Sequence, residues 1–324
     1  MFLTRRAFLA STAAVAVAAQ GRDAFAQAGW KPTKDVEFVI PFAVGGGADL
    51  MARVIHKVIT EDKLVPVSVA LVNRPGGGGA AGIGYVAASR KADPHTIILV
   101  NGTTQITPIL NPQAKTLTEV SPVMNVMLDD FLFFVKGDSP WKNVNDFVKD
   151  AKGKPPKTYA FSCGGTSDQM AVTILAKATG TELNMVNFNS GGESLTALLG
   201  GHVHASLGNP LEFMGHLKSG AVRAIGVFRD NRFPEFANVP TMKEQGINAP
   251  NFQMWRGIAL PKGAPAEANK YWQGVIQKVV ASPQYKAYIK DNVASEAAIP
   301  GEAFEKFLAD QEKLYRDLLG KPAA

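Results

Sequence analysis

Beyond the first few dozen residues, the apolar positions switch repeatedly between a period near two and a period near four. Val36, Phe38, Val39 and Ile40 form a short apolar run closed by Pro41, which predicts a buried strand over residues 36–40. Leu50, Met51, Val54, Ile55, Val58 and Ile59 then recur at three- and four-residue steps, the spacing of one helix face. Residues 67–72 predict a second strand, 83–89 a helix of small residues and 96–100 a third strand. A second series follows the strand expected at 131–135. Strands at 159–162 and 185–188 lead into helices at 168–178 and 194–199, with short strands at 204–207 and 223–227. The carboxyl end reads as a helix with Phe304, Phe307, Leu308, Leu314, Tyr315 and Leu318 on one face. Strands alternating with helices over 324 residues predict an α/β protein of about two domains built on mostly parallel sheets.

Four of the strand-to-helix joints are made of small residues: 41–49, 73–79, 162–167 and 189–194. A helix N-terminus presents unpaired N–H groups and the positive end of the helix dipole, so it favours anions. Glycine lets such a backbone approach a ligand with no Cβ in the way. Any one of these loops is explained by a tight turn, whereas four together predict an anion-tolerant pocket at the carboxyl ends of the strands. Asp49 fits two roles equally, a bond to a ligand or a cap on its own helix. Asp168 and Glu193 also fall at helix starts, where an exposed capping role is the default expectation. Gly77-Gly78-Gly79-Ala80-Ala81-Gly82 has the spacing of a dinucleotide loop, but the next strand ends at Asn101 and not at an acidic residue.

The composition narrows the chemistry. The single cysteine, Cys163, excludes an internal disulfide and any multi-thiolate metal site. The formal charge of +6 is spread without a basic tract, so no nucleic-acid partner is expected. Residues 1–26 read as a cleaved export signal: Arg5 and Arg6, an Ala-rich apolar run, and Ala24-Phe25-Ala26 ahead of Gln27. Thr4-Arg5-Arg6-Ala7-Phe8-Leu9 resembles a twin-arginine signal, and an ordinary secretory signal with two arginines fits as well.

At the first loop the chain resembles a known family. Val39 through Asp49 with Ala52-Arg53, then Asn73-Arg74-Pro75-Gly76, is similar to the opening motifs of tripartite tricarboxylate transporter substrate-binding proteins, the Bug receptors. Gly191-Gly192-Glu193-Ser194, Leu199-Gly200-Gly201-His202, Lys218-Ser219-Gly220 and Val239-Pro240-Thr241 continue the likeness along the chain. The resemblance implies a two-lobed type II periplasmic binding fold, with residues 27–126 plus 255–324 as one lobe and 127–254 as the other. It implies a periplasmic, non-catalytic receptor that captures a small organic acid between the lobes and delivers it to membrane transporter subunits. No cofactor and no metal are expected, and a monomer is.

On the same resemblance, Phe42, Gly45, Gly46, Gly47, Ala48 and Asp49 supply one jaw together with Gly78, and the N–H groups near Gly46 and Ala48 grip a carboxylate. Thr103 and Thr104 are further candidates on that jaw. Gly165, Thr166, Ser167, Asn189, Ser190, Gly191 and Asn209 supply the other. Asp168 departs from the family pattern: facing the cleft, it would repel a second ligand carboxylate and welcome an amine or hydroxyl. Gln169 stands where the family often has histidine, and Asn209 where it often has aspartate. The competing expectation is an exported oxidoreductase or hydrolase that uses the glycine loops for a cofactor.

Overall fold

The computed structural model describes residues 29–320, so the export signal read in residues 1–26 lies outside it. Strand β1 (Val36–Ile40) is buried along nearly its whole length and feeds helix α1 (Gly47–Glu61), whose Met51, Ile55, Val58 and Ile59 turn inward as the four-residue spacing requires. β2 (Val69–Asn73), α2 (Ala80–Ser89), β3 (Thr96–Asn101) and α3 (Gly102–Leu110) repeat the unit. A long strand, β4 (Val120–Asp130), leads within one residue into β5 (Leu132–Lys136). Then come α4 (Val144–Lys152), β6 (Ala160–Cys163), α5 (Thr166–Thr179), β7 (Asn184–Asn187), α6 (Gly191–Leu199), β8 (Ala205–Gly208), α7 (Pro210–Lys218) and β9 (Val222–Val227). The chain closes with β10 (Gln253–Pro261), α8 (Ala266–Ala281), α9 (Pro283–Asp291), β11 (Ser295–Pro300) and α10 (Gly301–Leu319).

The strands form two sheets, ordered β11-β4-β10-β3-β1-β2 and β7-β6-β8-β5-β9. Both are mixed, where the alternation of strands and helices had predicted mostly parallel ones. β1 pairs parallel with β2 and β3, and β6 parallel with β7 and β8, each through a helical crossover. β10 runs antiparallel to β3 and β4, β11 antiparallel to β4, and β5 antiparallel to β8 and β9. The antiparallel pairs follow from strands that arrive from the other sheet or from the end of the chain, with no βαβ unit to set their direction.

β5 shows the period of two directly. Phe131, Phe133 and Val135 belong to one buried cluster, while Leu132 and Phe134 belong to a second one with Leu195, Leu198 and Phe213. Phe134 stacks on Phe213 with ring centroids 4.0 Å apart. The chain passes from the first sheet to the second at Phe131 and has returned by Gln253, which pairs opposite Asp130. The two passages are tied together there. Phe131 stacks on Phe252 at 5.0 Å, its carbonyl accepts from the Phe228 N–H at 3.0 Å, and Asp130 accepts from Gln253 Nε2 at 3.0 Å.

Candidate functional site

Three of the four loops, 41–49, 162–167 and 189–194, meet at one cavity at the carboxyl ends of the two sheets' strands, and the 73–79 loop lines an adjoining one. On the first sheet, the loop after β1 turns at Gly45, whose φ of +82° is a left-handed conformation that suits glycine. Asp49, the third residue of α1, holds that turn. It is fully buried; its Oδ2 accepts the Gly45 N–H at 2.9 Å and Arg53 Nε at 2.8 Å, and its Oδ1 accepts Arg53 Nη2 at 3.1 Å and Asn73 Nδ2 at 3.0 Å. Burial works against the charge of Asp49. The hydrogen bonds from Arg53, Gly45 and Asn73 together outweigh it and hold the carboxyl below its usual range.

The N-terminus of α3 is capped reciprocally by Asn101 and Thr104, which commits the Thr104 hydroxyl to the Asn101 backbone at 2.7 and 3.0 Å. Thr103 instead reaches across to the second sheet: its Oγ1 donates to Ser167 Oγ at 3.1 Å, and its carbonyl accepts from Thr166 Oγ1 at 3.1 Å. Thr107 meets Thr166 Oγ1 at 3.2 Å and donates to the Gly78 carbonyl at 3.0 Å, so the second glycine loop rests on the same seam of hydroxyls.

On the second sheet, Asp168 is the third residue of α5 and accepts the Gly164 N–H on Oδ2 at 2.6 Å. It is 7% exposed and lines the cavity, so the exposed capping role expected of it is corrected: the helix start lies in the cleft, not at the surface. Burial, with the negative charge of Glu212 adding to it, raises the Asp168 carboxyl to about 8, against smaller opposite effects from the Gly164 N–H and Arg256. Glu193 does behave as an exposed cap, taking the Asn189 N–H at 3.0 Å, and Ser190 Oγ caps the Glu193 N–H at 3.2 Å.

Glu212 joins the two sides. From the first turn of α7, its Oε1 accepts the N–H of Gly47 at 2.9 Å, at the start of α1. A Cβ at Gly47 would lie 2.6 Å from Leu211 Cδ2, and one at Gly191 would lie 2.7 Å from Glu212 Oε1, so both helix starts approach α7 as only glycine allows. Arg256, on β10, is 3% exposed and donates from Nε and Nη2 to Asp129 Oδ2 at 2.9 and 2.7 Å. Burial raises the Asp129 carboxyl despite that pairing.

Of the residues singled out from sequence, Phe42, Gly46, Gly47, Ala48, Thr103, Gly165, Asp168, Asn189, Ser190, Gly191 and Asn209 line a cavity of about 50 Å³. Gly78 and Thr166 line an adjoining, wider one that shares Phe42, Thr103, Gly165 and Asn189. Gly45, Asp49, Thr104 and Ser167 line neither and instead brace the loops through their hydrogen bonds. Gly164 and Ser194, within two of the predicted loops, also line the first cavity, as do Asn101, Ser206, Gly208, Glu212, Phe213, Met254 and Arg256, which the sequence did not single out as site residues. Two of them carried a signal. Glu212 is an acid two residues after a helix-starting proline, and Arg256 is a charge inside the apolar run from Met254 to Leu260.

Known proteins share the fold and much of the length of this chain. The family model for tripartite tricarboxylate transporter family receptors matches residues 51–321. A protein encoded in the tcbD–tcbE intergenic region of Pseudomonas sp. (strain P51) is 27% identical, over 91% of this chain and 87% of its own. BugT of Bordetella pertussis is 25% identical, over 85% and 91%. Among solved structures, the periplasmic binding protein BugD superposes with a TM-score of 0.82 at 24% identity, covering 89% of this chain and 97% of its own. MatC from Rhodopseudomonas palustris with bound malate gives 0.79 at 22% identity, covering 89% and 99%. An R. palustris protein with adipate gives 0.81 at 22%, covering 89% and 97%. The fold is thus that of the two-lobed periplasmic binding proteins, and the chain belongs to the tripartite tricarboxylate transporter receptor family, the solute-binding receptors among which the Bug proteins fall.

Proposed function

We propose that this chain is a periplasmic receptor that closes on a small organic carboxylate and presents it to the membrane subunits of a tripartite-type transporter. One observation carries it: the starts of α1, α5 and α6, drawn from both sheets, meet at one small cavity, where a helix N-terminus favours an anion. A carboxylate there bonds to both sides at once, so it favours the closed arrangement by its differential contacts. Malate and adipate in the two R. palustris proteins of the same fold are of this chemical class.

On this reading the two sheets move as two lobes, close to the expected division into 27–126 plus 255–324 and 127–254, hinged at the passages through Phe131 and the segment before Gln253, since Met127–Asp130 still pair within the first sheet. The division of the strands between two sheets supports that assignment. The protein works as a monomer without a cofactor, and residues 1–26 direct its export.

A thermal-shift screen of the purified protein against aliphatic, aromatic and amino-bearing carboxylates, with nicotinamide cofactors included, tests the proposal. Ligand at 100 times its Kd adds about 2.7 kcal/mol, a shift of several degrees. A chemically coherent set of carboxylate hits is expected. Stabilisation by a nicotinamide cofactor alone would overturn the receptor in favour of an enzyme.

A further inference from the structure

A carboxylate receptor needs donors in its cavity, yet the side-chain charges there are mostly negative. Three charged side chains line it: Asp168, Glu212 and Arg256. The positive one is already engaged, since Arg256 gives both Nε and Nη2 to Asp129. The two negative ones are not. Each spends one oxygen on a backbone N–H, Gly164 for Asp168 and Gly47 for Glu212. Among the described residues, the second oxygen of each accepts no hydrogen bond, and neither carboxylate forms an ion pair. Asp168 is more than nine-tenths buried and opens onto the cavity.

Two carboxylates facing one small, largely desolvated space repel each other and lack the water that would stabilise them. That is a poor floor for a ligand whose only charges are negative, because a second ligand carboxylate would add to the same sign. The arrangement has a natural complement. Building on the carboxylate-receptor function, we propose that the ligand carries a protonated amine besides its carboxylate, the amine held between the free oxygens of Asp168 and Glu212. The carboxylate then lies against the first-turn N–H groups of α1 and α6 and the unspent Nη1 of Arg256. The raised Asp168 carboxyl fits an empty site: burial and the Glu212 charge oppose its ionisation until a cation arrives. Glu212 is fixed for the role by its bond to Gly47, which keeps the carboxylate at the junction of both sides.

Titration calorimetry with matched acids tests this, pairing adipate with α-aminoadipate and hexanoate with ε-aminohexanoate at neutral pH. In at least one pair the amino member should bind about tenfold or more tightly than its plain partner, a difference of about 1.4 kcal/mol. Asp168→Asn and Glu212→Gln, which preserve size, should each shift that ratio toward the plain acid by about tenfold. Plain acids that bind as well as their amino partners, or variants that leave the ratio unmoved, would overturn the amine assignment and leave the carboxylate receptor standing. Failure of every acid, plain or amino, would overturn the carboxylate-receptor reading and this assignment with it.

Discussion

Asp49 and Asp168 begin from the same local grammar and end in opposite states. Each is the third residue of a helix that follows a glycine loop, each is buried, and each accepts the N–H of a glycine four residues earlier. One turn further on they part. Four residues after Asp49 stands Arg53, which grips both carboxylate oxygens, and Asn73 adds a third donor. Four residues after Asp168 stands Val172, fully buried in the core. The first carboxyl is held below its ordinary range and becomes a fixed strut of its loop; the second is raised to about 8 and looks into the cavity. The turn decides where an acid sits. The residue one helical turn later decides whether its charge is spent on the fold or left for a ligand.

The largest expected effect falls on the strut. Asp49→Ala leaves the Gly45 N–H and half-exposed Arg53 without their acceptor and the Asn73 amide with only the Phe42 carbonyl, and should cost about 3 kcal/mol in a denaturant titration. Asp168→Asn, by contrast, should leave stability at neutral pH unchanged or raise it by about 1 kcal/mol, because it removes a buried group that must take up a proton the unfolded chain does not hold. A loss there as large as that at Asp49 would erase the comparison.

The two acids should also differ in the sign of their pH dependence. The folded protein holds a proton on Asp168 that the unfolded chain releases, from the ordinary carboxyl value of 3.8 up to about 8. Its contribution therefore falls as pH rises through that window and is level above it. A series of melting curves should show the parent losing stability relative to Asp168→Asn between about pH 4 and about pH 8. Asp49 runs the other way: its contribution is present above the ordinary carboxyl value and is lost as pH falls through its lowered folded value. The smallest effect sharpens the contrast. Arg53→Met should cost about 0.5–1 kcal/mol, since Arg53 is half exposed, and should move the acid-induced loss of stability to higher pH. An unchanged acid limb would mean that Gly45 and Asn73 alone hold Asp49 ionised.

Much of this frame was legible along the chain. The strands that enter glycine loops were readable because their apolar runs are short and end abruptly, as at Ile40 before Pro41. The longest strands were not. β4 carries Pro122, Asn125, Asp129 and Asp130 within eleven residues, and Arg256 with Gly257 interrupts the apolar run of β10, so neither reads cleanly as a strand. Asp129, Asp130 and Arg256 are among the residues that bring the passages between sheets together. The loops of the site were legible for the same reason as their strands. The bond from Gly47 to Glu212 spans 165 positions, and the pairing of Arg256 with Asp129 spans 127. No local pattern encodes either; they exist only once both sheets have formed.

The central claim is that the two lobes close on a carboxylate held at the helix starts that meet in the cavity, and Gly47→Val, at the start of α1 and against α7, tests it most directly. Gly47 has no unusual backbone conformation, so the variant should fold with an unchanged far-ultraviolet spectrum, while its side chain meets Leu211 and Glu212 before the lobes can close. Calorimetry with whichever carboxylate binds the parent should show affinity falling by about 100-fold or more, about 2.7 kcal/mol. A folded Gly47→Val protein that binds this ligand as tightly as the parent would contradict the account.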